Sequence, residues 1–113
     1  MIKVYGIKNC DSVKKALAFF KKNDLSYELF DFKTEKLPPQ KIDQWLEKAT
    51  MKELFNSRST TYRNLKLKEL NLDDEGKREW LKKEYLLIKR PVVEVDDKLL
   101  VGFNEENYTR SFL

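Results

Sequence analysis

The chain has 113 residues, with 23 lysines and arginines, 19 acidic residues, one cysteine and no histidine, and this length suits one domain around one core. A lone cysteine excludes an internal disulfide, and without histidine neither a histidine-based triad nor a Cys/His zinc cluster can be assembled, so no metal site is expected. No apolar run approaches the roughly 20 residues that span a bilayer, the first residues lack the pattern of a signal peptide, and acidic residues interleave with the basic ones behind the net charge of +4; the expectation is a cytoplasmic protein, not attached to membrane and not binding nucleic acid.

Ile2 to Tyr5 is a short apolar and β-branched run closed by Gly6, and reads as a first strand. A polar turn, Ile7 to Ser12, follows. From Val13 the pattern is helical: Val13, Ala16, Leu17 and Phe20 fall at i, i+3, i+4, i+7, and Asn23-Asp24 stops the helix. Ser26 to Phe32 alternates roughly by two and predicts a second strand, with Tyr27, Leu29 and Asp31 on one side and Phe30 and Phe32 on the other. Pro38-Pro39 opens a helix striped by Ile42, Trp45, Leu46 and Ala49, and a shorter helix runs through Met51, Leu54 and Phe55. Asn56 to Thr61 is polar and aperiodic, a loop or helix junction, and Tyr62 to Leu70 fits no single pattern. Asn71 to Asp74 predicts a helix start, with acids at the positive end of the dipole; Trp80, Leu81 and Tyr85 carry that helix on. Trp45 and Trp80 both read as core. Val92 to Val95 and Lys98 to Val101 flank Asp96-Asp97, a hairpin signal, and Asn104-Glu105-Glu106 begins a last helix. The order β-α-β, helical middle, β-β-α predicts a four-stranded mixed sheet with helices on its faces.

Cys10 falls after the first strand, at the start of the first helix, where free N–H groups and the helix dipole favour an anion. A thiol of ordinary pKa, about 8.5, is only about 3% ionised at neutral pH, and lowering a pKa by about two units takes about 2.7 kcal/mol. A helix end supplies about 0.3–1 kcal/mol and at most about 2. The dipole therefore needs a basic partner; Lys14, one turn along, supplies part of it, and Asp11 works against it. The alternative is that Cys10 is a small buried hydrophobe, as free cysteines often are. Val13 stands where a CxxC motif has its second cysteine, so any disulfide made by Cys10 must be resolved by an external thiol. Tyr5 reads as a packing residue.

Three segments together resemble the ArsC/Spx family, and within it the YffB-like proteins: Tyr5-Gly6-Ile7-Lys8-Asn9-Cys10-Asp11; Asn56-Ser57-Arg58-Ser59-Thr60-Thr61-Tyr62-Arg63; and Leu87-Ile88-Lys89-Arg90-Pro91-Val92 with Leu100-Val101-Gly102-Phe103. They span nearly the whole chain in the right order. The resemblance implies a thioredoxin-like fold within a single domain, 1–113, in which residues 1–33 and 88–113 form the core and about 38–87 a helical insertion. By the same resemblance Cys10 matches the family's nucleophile, Arg58 and Arg90 match two active-site arginines, and Pro91 matches a cis-proline beside the site. Guanidinium groups suit oxyanions and carboxylates and stabilise a nearby thiolate.

The expected catalytic residues are then Cys10, Arg58 and Arg90, with Lys8, Asn9, Lys14, Thr60, Arg63 and Pro91 contacting substrate or glutathione. Against these roles, Arg58 could instead cap the preceding helix, Arg90 could be a surface residue, and Thr60, Thr61 and Arg63 could simply shape their loop. Two positions depart from the family pattern. Phe103 stands near where a third arginine is expected, and Lys14 replaces an arginine. Losing one of three fixed cations weakens the case for arsenate, a small and highly charged anion. The implied activity is glutathione-dependent thiol reduction, with no bound cofactor, glutathione as co-substrate and a glutaredoxin as an alternative partner. The competing function is a non-catalytic, Spx-like regulator that binds the RNA polymerase α subunit.

Overall fold

In a computed structural model describing residues 1–113, the chain folds as two compact units, one formed by Met1–Glu35 with Arg90–Leu113 and the other by Lys36–Lys89. The first unit holds four strands, β1 (Ile2–Gly6), β2 (Tyr27–Asp31), β3 (Val92–Val95) and β4 (Lys98–Val101). They form one sheet in the order β2-β1-β3-β4. β1 pairs parallel with β2 and antiparallel with β3, and β3 pairs antiparallel with β4. This is the mixed sheet expected from the element order. The β3–β4 connection is the two-residue hairpin, with Asp96 in the left-handed region at φ 50°.

Two helices belong to this unit, the first, α1, at Asp11–Lys22 and the last at Glu105–Phe112. Strand alternation sends Ile2, Val4 and Val93 to one face, where they cluster with Ala16, Phe19 and Phe20 of α1 and with Tyr108 of the last helix. Tyr108 is 1% exposed; its ring stacks on Phe20 at 5.7 Å and meets Phe19 edge-on at 5.6 Å. Its hydroxyl donates to the Gly102 carbonyl at 2.9 Å, which satisfies the polar atom of this buried ring.

The helix begins at Asp11, two residues before the apolar stripe, because Cys10 rather than Ser12 takes the N-cap position. It ends as Asn23-Asp24 predicts. Asp24 adopts φ 55°, the Leu25 N–H reaches back to the Phe20 carbonyl at 2.8 Å and the Asp24 N–H to Lys21 at 3.3 Å, the two bonds of a Schellman stop. At the other end, β1 and α1 approach closely at Gly6. A Cβ built on Gly6 would sit 2.6 Å from a methyl of Val13, itself fully buried.

The second unit contains α2 (Gln40–Leu46), α3 (Met51–Leu54), α4 (Thr60–Asn64) and α5 (Asp74–Lys83), so that the C-terminal helix of the first unit is α6. A capping box starts α3: Thr50 accepts from the Glu53 N–H, and Glu53 accepts from the Thr50 N–H. An isolated bridge joins Phe55 to Ile88. The polar stretch Asn56–Thr61 is not all loop. Ser59 caps α4 by accepting the Tyr62 N–H, so the helix starts at Thr60, and Leu67–Leu70 then forms a 3₁₀ turn. Short capped helices of this kind carry too few residues to show a period. α5 stops at Lys83, and Tyr85 belongs to a separate 3₁₀ turn, Tyr85–Leu87. Trp45 is buried as expected at 1% exposure, but Trp80 is only half-buried and holds the Lys83 ammonium 4.9 Å from its ring. An apolar stripe position at the edge of a helix face is satisfied by a neighbouring cation as well as by a core.

α2 and α5 are tied by charge. Asp43 accepts from Arg78 at 2.7 Å and from Lys82 at 3.2 Å, and these hydrogen bonds, Arg78's first, hold its carboxyl below the usual carboxylate range.

Three outcomes follow from these contacts. Gly6→Ala is expected to lower stability by about 1–3 kcal/mol in urea denaturation, because the Val13 methyl it meets is packed and cannot move freely. Tyr108→Phe should cost about 1 kcal/mol, since it removes one buried hydrogen bond and keeps the ring. Asp43→Asn should be less stable than wild type at neutral pH. Since the folded carboxyl titrates below its unfolded value, the stabilisation is present above the unfolded range and lost on acidification, so the two proteins' urea midpoints should converge as the pH falls through it.

Candidate active site

The sheet register gathers several predicted residues at one end of the first unit. Gly6 ends β1 opposite Asp31, the last residue of β2; Tyr5 pairs with Val92, the first residue of β3; and Val92 pairs with Val101, the last of β4. The segments leaving β1, β2 and β4, and the one entering β3, therefore emerge at the same end. They carry Lys8, Asn9 and Cys10, the Asp31–Glu35 turn, Arg90-Pro91, and Gly102-Phe103.

Cys10 is the N-cap of α1, in extended conformation at φ −87° and ψ 126°. Its N–H donates to the Ile7 carbonyl at 3.3 Å and its carbonyl accepts the Lys14 N–H at 2.9 Å. Its side chain makes no capping bond, and the thiol is free and partly exposed. The alternative of a small buried hydrophobe is corrected to this extent: Cys10 is only partly buried, at the N-cap of α1. Lys8, Asn9, Asp11 and Lys14 are exposed around the same turn.

The Arg90–Pro91 peptide is cis. Pro91 is buried, and its carbonyl accepts the Gly102 N–H at 2.7 Å. Gly102 has φ 80°, a conformation that favours glycine, and its own carbonyl receives the Tyr108 hydroxyl. Arg90 is not the surface residue that the alternative reading allowed. Its Nε and Nη1 are buried and have no hydrogen-bond partner. Two desolvated donors on a permanent cation cost free energy unless an acceptor arrives. Phe103, where a further cation is expected by family pattern, packs its ring 4.9 Å from that of Tyr108.

Arg58, Thr60 and Arg63 belong to the helical unit. Arg58 is exposed in the turn before α4; its N–H donates to Asn56 Oδ1 at 3.2 Å, and the α3 carbonyls are not what its side chain serves. Thr60 accepts a 3.4 Å hydrogen bond from Arg63, and both are exposed.

Two residues at the sheet add to the sequence reading. Asp31 is 7% exposed and is fixed by its turn: its Oδ1 accepts the Lys33 N–H and its carbonyl the Thr34 and Glu35 N–H groups. The Asp followed two residues later by a free amide is the signal of an Asx turn. Tyr5 donates to Glu94 Oε1 at 2.9 Å, and burial first, then Glu94, push its phenol far above the ordinary value. It remains protonated at neutral pH and acts as a packing and hydrogen-bonding residue.

The model of the ArsC family matches residues 5–111. The chain belongs to the ArsC family. A Haemophilus influenzae protein is 41% identical over 99% of both chains. The global transcriptional regulator Spx of Lactiplantibacillus plantarum is 26% identical, covering 97% of this chain and 85% of its own. Among solved structures, a YFFB protein superposes with a TM-score of 0.93 at 28% identity over the whole of both chains. An arsenate reductase related protein from Brucella melitensis gives 0.76 at 36% identity, covering 98% and 93%. The ArsC-family chain thus has the thioredoxin-like fold of its YFFB neighbour and is related both to arsenate reductases and to Spx regulators.

The unpartnered guanidinium yields a stability prediction. Arg90→Met is expected to raise the unfolding free energy measured in urea, by up to about 2 kcal/mol, because it removes two buried donors that bond to nothing. A loss of stability would show that Arg90 is held by packing worth more than its desolvation.

Proposed function

We propose that this ArsC-family protein is a glutathione-dependent thiol oxidoreductase. The observation that carries the reading is the half-buried Arg90, whose Nε and Nη1 are buried and without a partner, at the end of the sheet from which the Cys10 turn emerges. A fixed cation without an acceptor suits a carboxylate or oxyanion brought by a substrate, and an uncommitted thiol at a helix N-terminus suits a nucleophile.

In the first step the Cys10 thiolate attacks a sulfur of a glutathione mixed disulfide. A Cys10–glutathione disulfide forms, the old S–S bond breaks, and the partner leaves as a thiolate that takes up a proton. In the second step the thiolate of another glutathione attacks the glutathione sulfur of that disulfide, releasing oxidised glutathione and restoring Cys10. One glutathione is consumed per disulfide reduced. Val13 in the position of a resolving cysteine makes the external thiol obligatory. Arg90 and Arg58 are assigned to the tripeptide's carboxylates, and Lys8, Asn9, Lys14, Thr60, Arg63 and the Pro91 segment to its outer contacts. Arsenate is the weaker substrate in this reading, since Phe103 offers no charge.

Incubation with oxidised glutathione followed by intact-mass measurement tests it. One glutathione adduct is expected, absent in Cys10→Ser and reversed by reduced glutathione. Arg90→Met and Arg58→Ala should each slow its formation by about tenfold or more, the loss of a charged hydrogen bond. A reduced protein that forms no adduct would sink the proposal. The relation to Spx supports a second reading, a regulator that binds RNA polymerase through its α subunit without a redox switch. Capture of that subunit equally by wild type and Cys10→Ser, with no adduct, is the result that would favour it.

A further inference from the structure

The helical unit contains a cavity that plays no part in the proposed chemistry. Its volume is about 460 Å³, and Thr50, Met51, Lys52, Phe55, Ser57, Asp74 and Lys77 line it. That size falls within the range of small-molecule sites. Its apolar surface comes from Phe55, 7% exposed, and from Met51. Lys77 holds its ammonium 5.8 Å from the centre of the Phe55 ring.

The polar lining is sorted by what it already bonds. Thr50 is committed, donating to Glu53 at 3.0 Å and accepting from the Glu53 N–H at 3.1 Å. Lys52 and Lys77 form no ion pair, either with Asp74 on the same wall or elsewhere, and the Ser57 hydroxyl has no partner. Two lysines and one aspartate without ion pairs thus line the same cavity as an aromatic and a thioether side chain, with one free hydroxyl. By contrast the nearby Arg78 and Lys82 are both taken up by Asp43.

We propose that this cavity binds a small organic anion with a flat apolar body, its charge on Lys52 and Lys77 and its ring against Phe55 and Met51. The Lys77 ammonium is held by its contact with the Phe55 ring and has no carboxylate partner, which leaves it open to an anion. The apolar walls add what an inorganic ion cannot use. The site lies wholly within the Lys36–Lys89 unit and requires no thiol.

Phenyl phosphate is a suitable probe, titrated at low salt into the reduced full-length protein and followed by two-dimensional proton–nitrogen correlation spectra. Saturable shifts are expected at the amides of Met51, Lys52, Phe55, Ser57 and Lys77. Lys52→Gln, at an exposed position, and Lys77→Gln should each weaken binding by about three- to tenfold. Inorganic phosphate and benzyl alcohol, which each present one half of the recognition, should bind more weakly than phenyl phosphate. The proposal is overturned if the shifts grow linearly without saturation, if they centre on the Cys10 turn, if inorganic phosphate binds as well as phenyl phosphate, or if neither lysine substitution changes the affinity.

Discussion

The first unit depends on the approach of α1 to the end of β1. Gly6 has no side chain, and the Val13 methyl occupies the space a Cβ would need. The helix can therefore begin five residues after the strand ends, with Cys10 at its N-cap rather than further out in a loop. The position of the thiol is thus set by a missing side chain. A larger residue at Gly6 would push α1 away from the sheet and carry the Cys10 turn with it. The same approach buries Val13 and aligns Ala16, Phe19 and Phe20 over β1 and β3, so the packing and the location of the thiol have a single cause.

A second linkage holds the facing segment. Pro91 precedes β3, and its carbonyl is fixed by the Gly102 N–H just beyond β4; Gly102 is fixed in turn by the hydroxyl of Tyr108, set in the aromatic cluster of α1 and α6. The segment carrying Arg90 is therefore anchored through hydrogen bonds that end in the core. Phe103 belongs to the same cluster through its contact with Tyr108. At the position where the resemblance leads one to expect a cation, this chain has an aromatic ring packed on the core.

The legible parts of this fold were those with a strong period or a strong stop. The β1 run, the α1 stripe, the Asp96-Asp97 hairpin and the Asn104 cap all stand in the structure where the residues put them, because each rests on local geometry that a short window contains. The stretch from Asn56 to Leu70 was not legible. α4 has five residues and the turn after it four, too short for a stripe, and both depend on capping by Ser59 and on left-handed Lys66 and Asn71. Trp80 misled because a helix stripe says which residues share a face but not how much of that face is covered. At the site, the strand–cysteine–helix order was readable for Cys10. The burial of two of Arg90's nitrogens was not, since Arg90 is brought to this end of the sheet by pairing between residues more than eighty positions apart.

Arg90 is also where local economy and the rest of the molecule disagree. Every other tertiary polar contact in the first unit closes on a partner: Tyr5 on Glu94, Tyr108 on Gly102, Gly102 on Pro91. In the second unit even a half-buried carboxylate, Asp43, gathers two cations. A chain that satisfies its polar groups so consistently leaves two guanidinium nitrogens buried and empty-handed next to a cis-proline. Folding alone gains nothing from that arrangement, because an apolar side chain of the same reach would avoid the desolvation. The arrangement becomes favourable once an acceptor from outside completes it, and an acceptor that binds only there stabilises the folded state by the same free energy with which it is held. Under the proposed function, the cost carried by the free protein is the counterpart of selectivity for a carboxylate or oxyanion at the end of the sheet from which the Cys10 turn emerges.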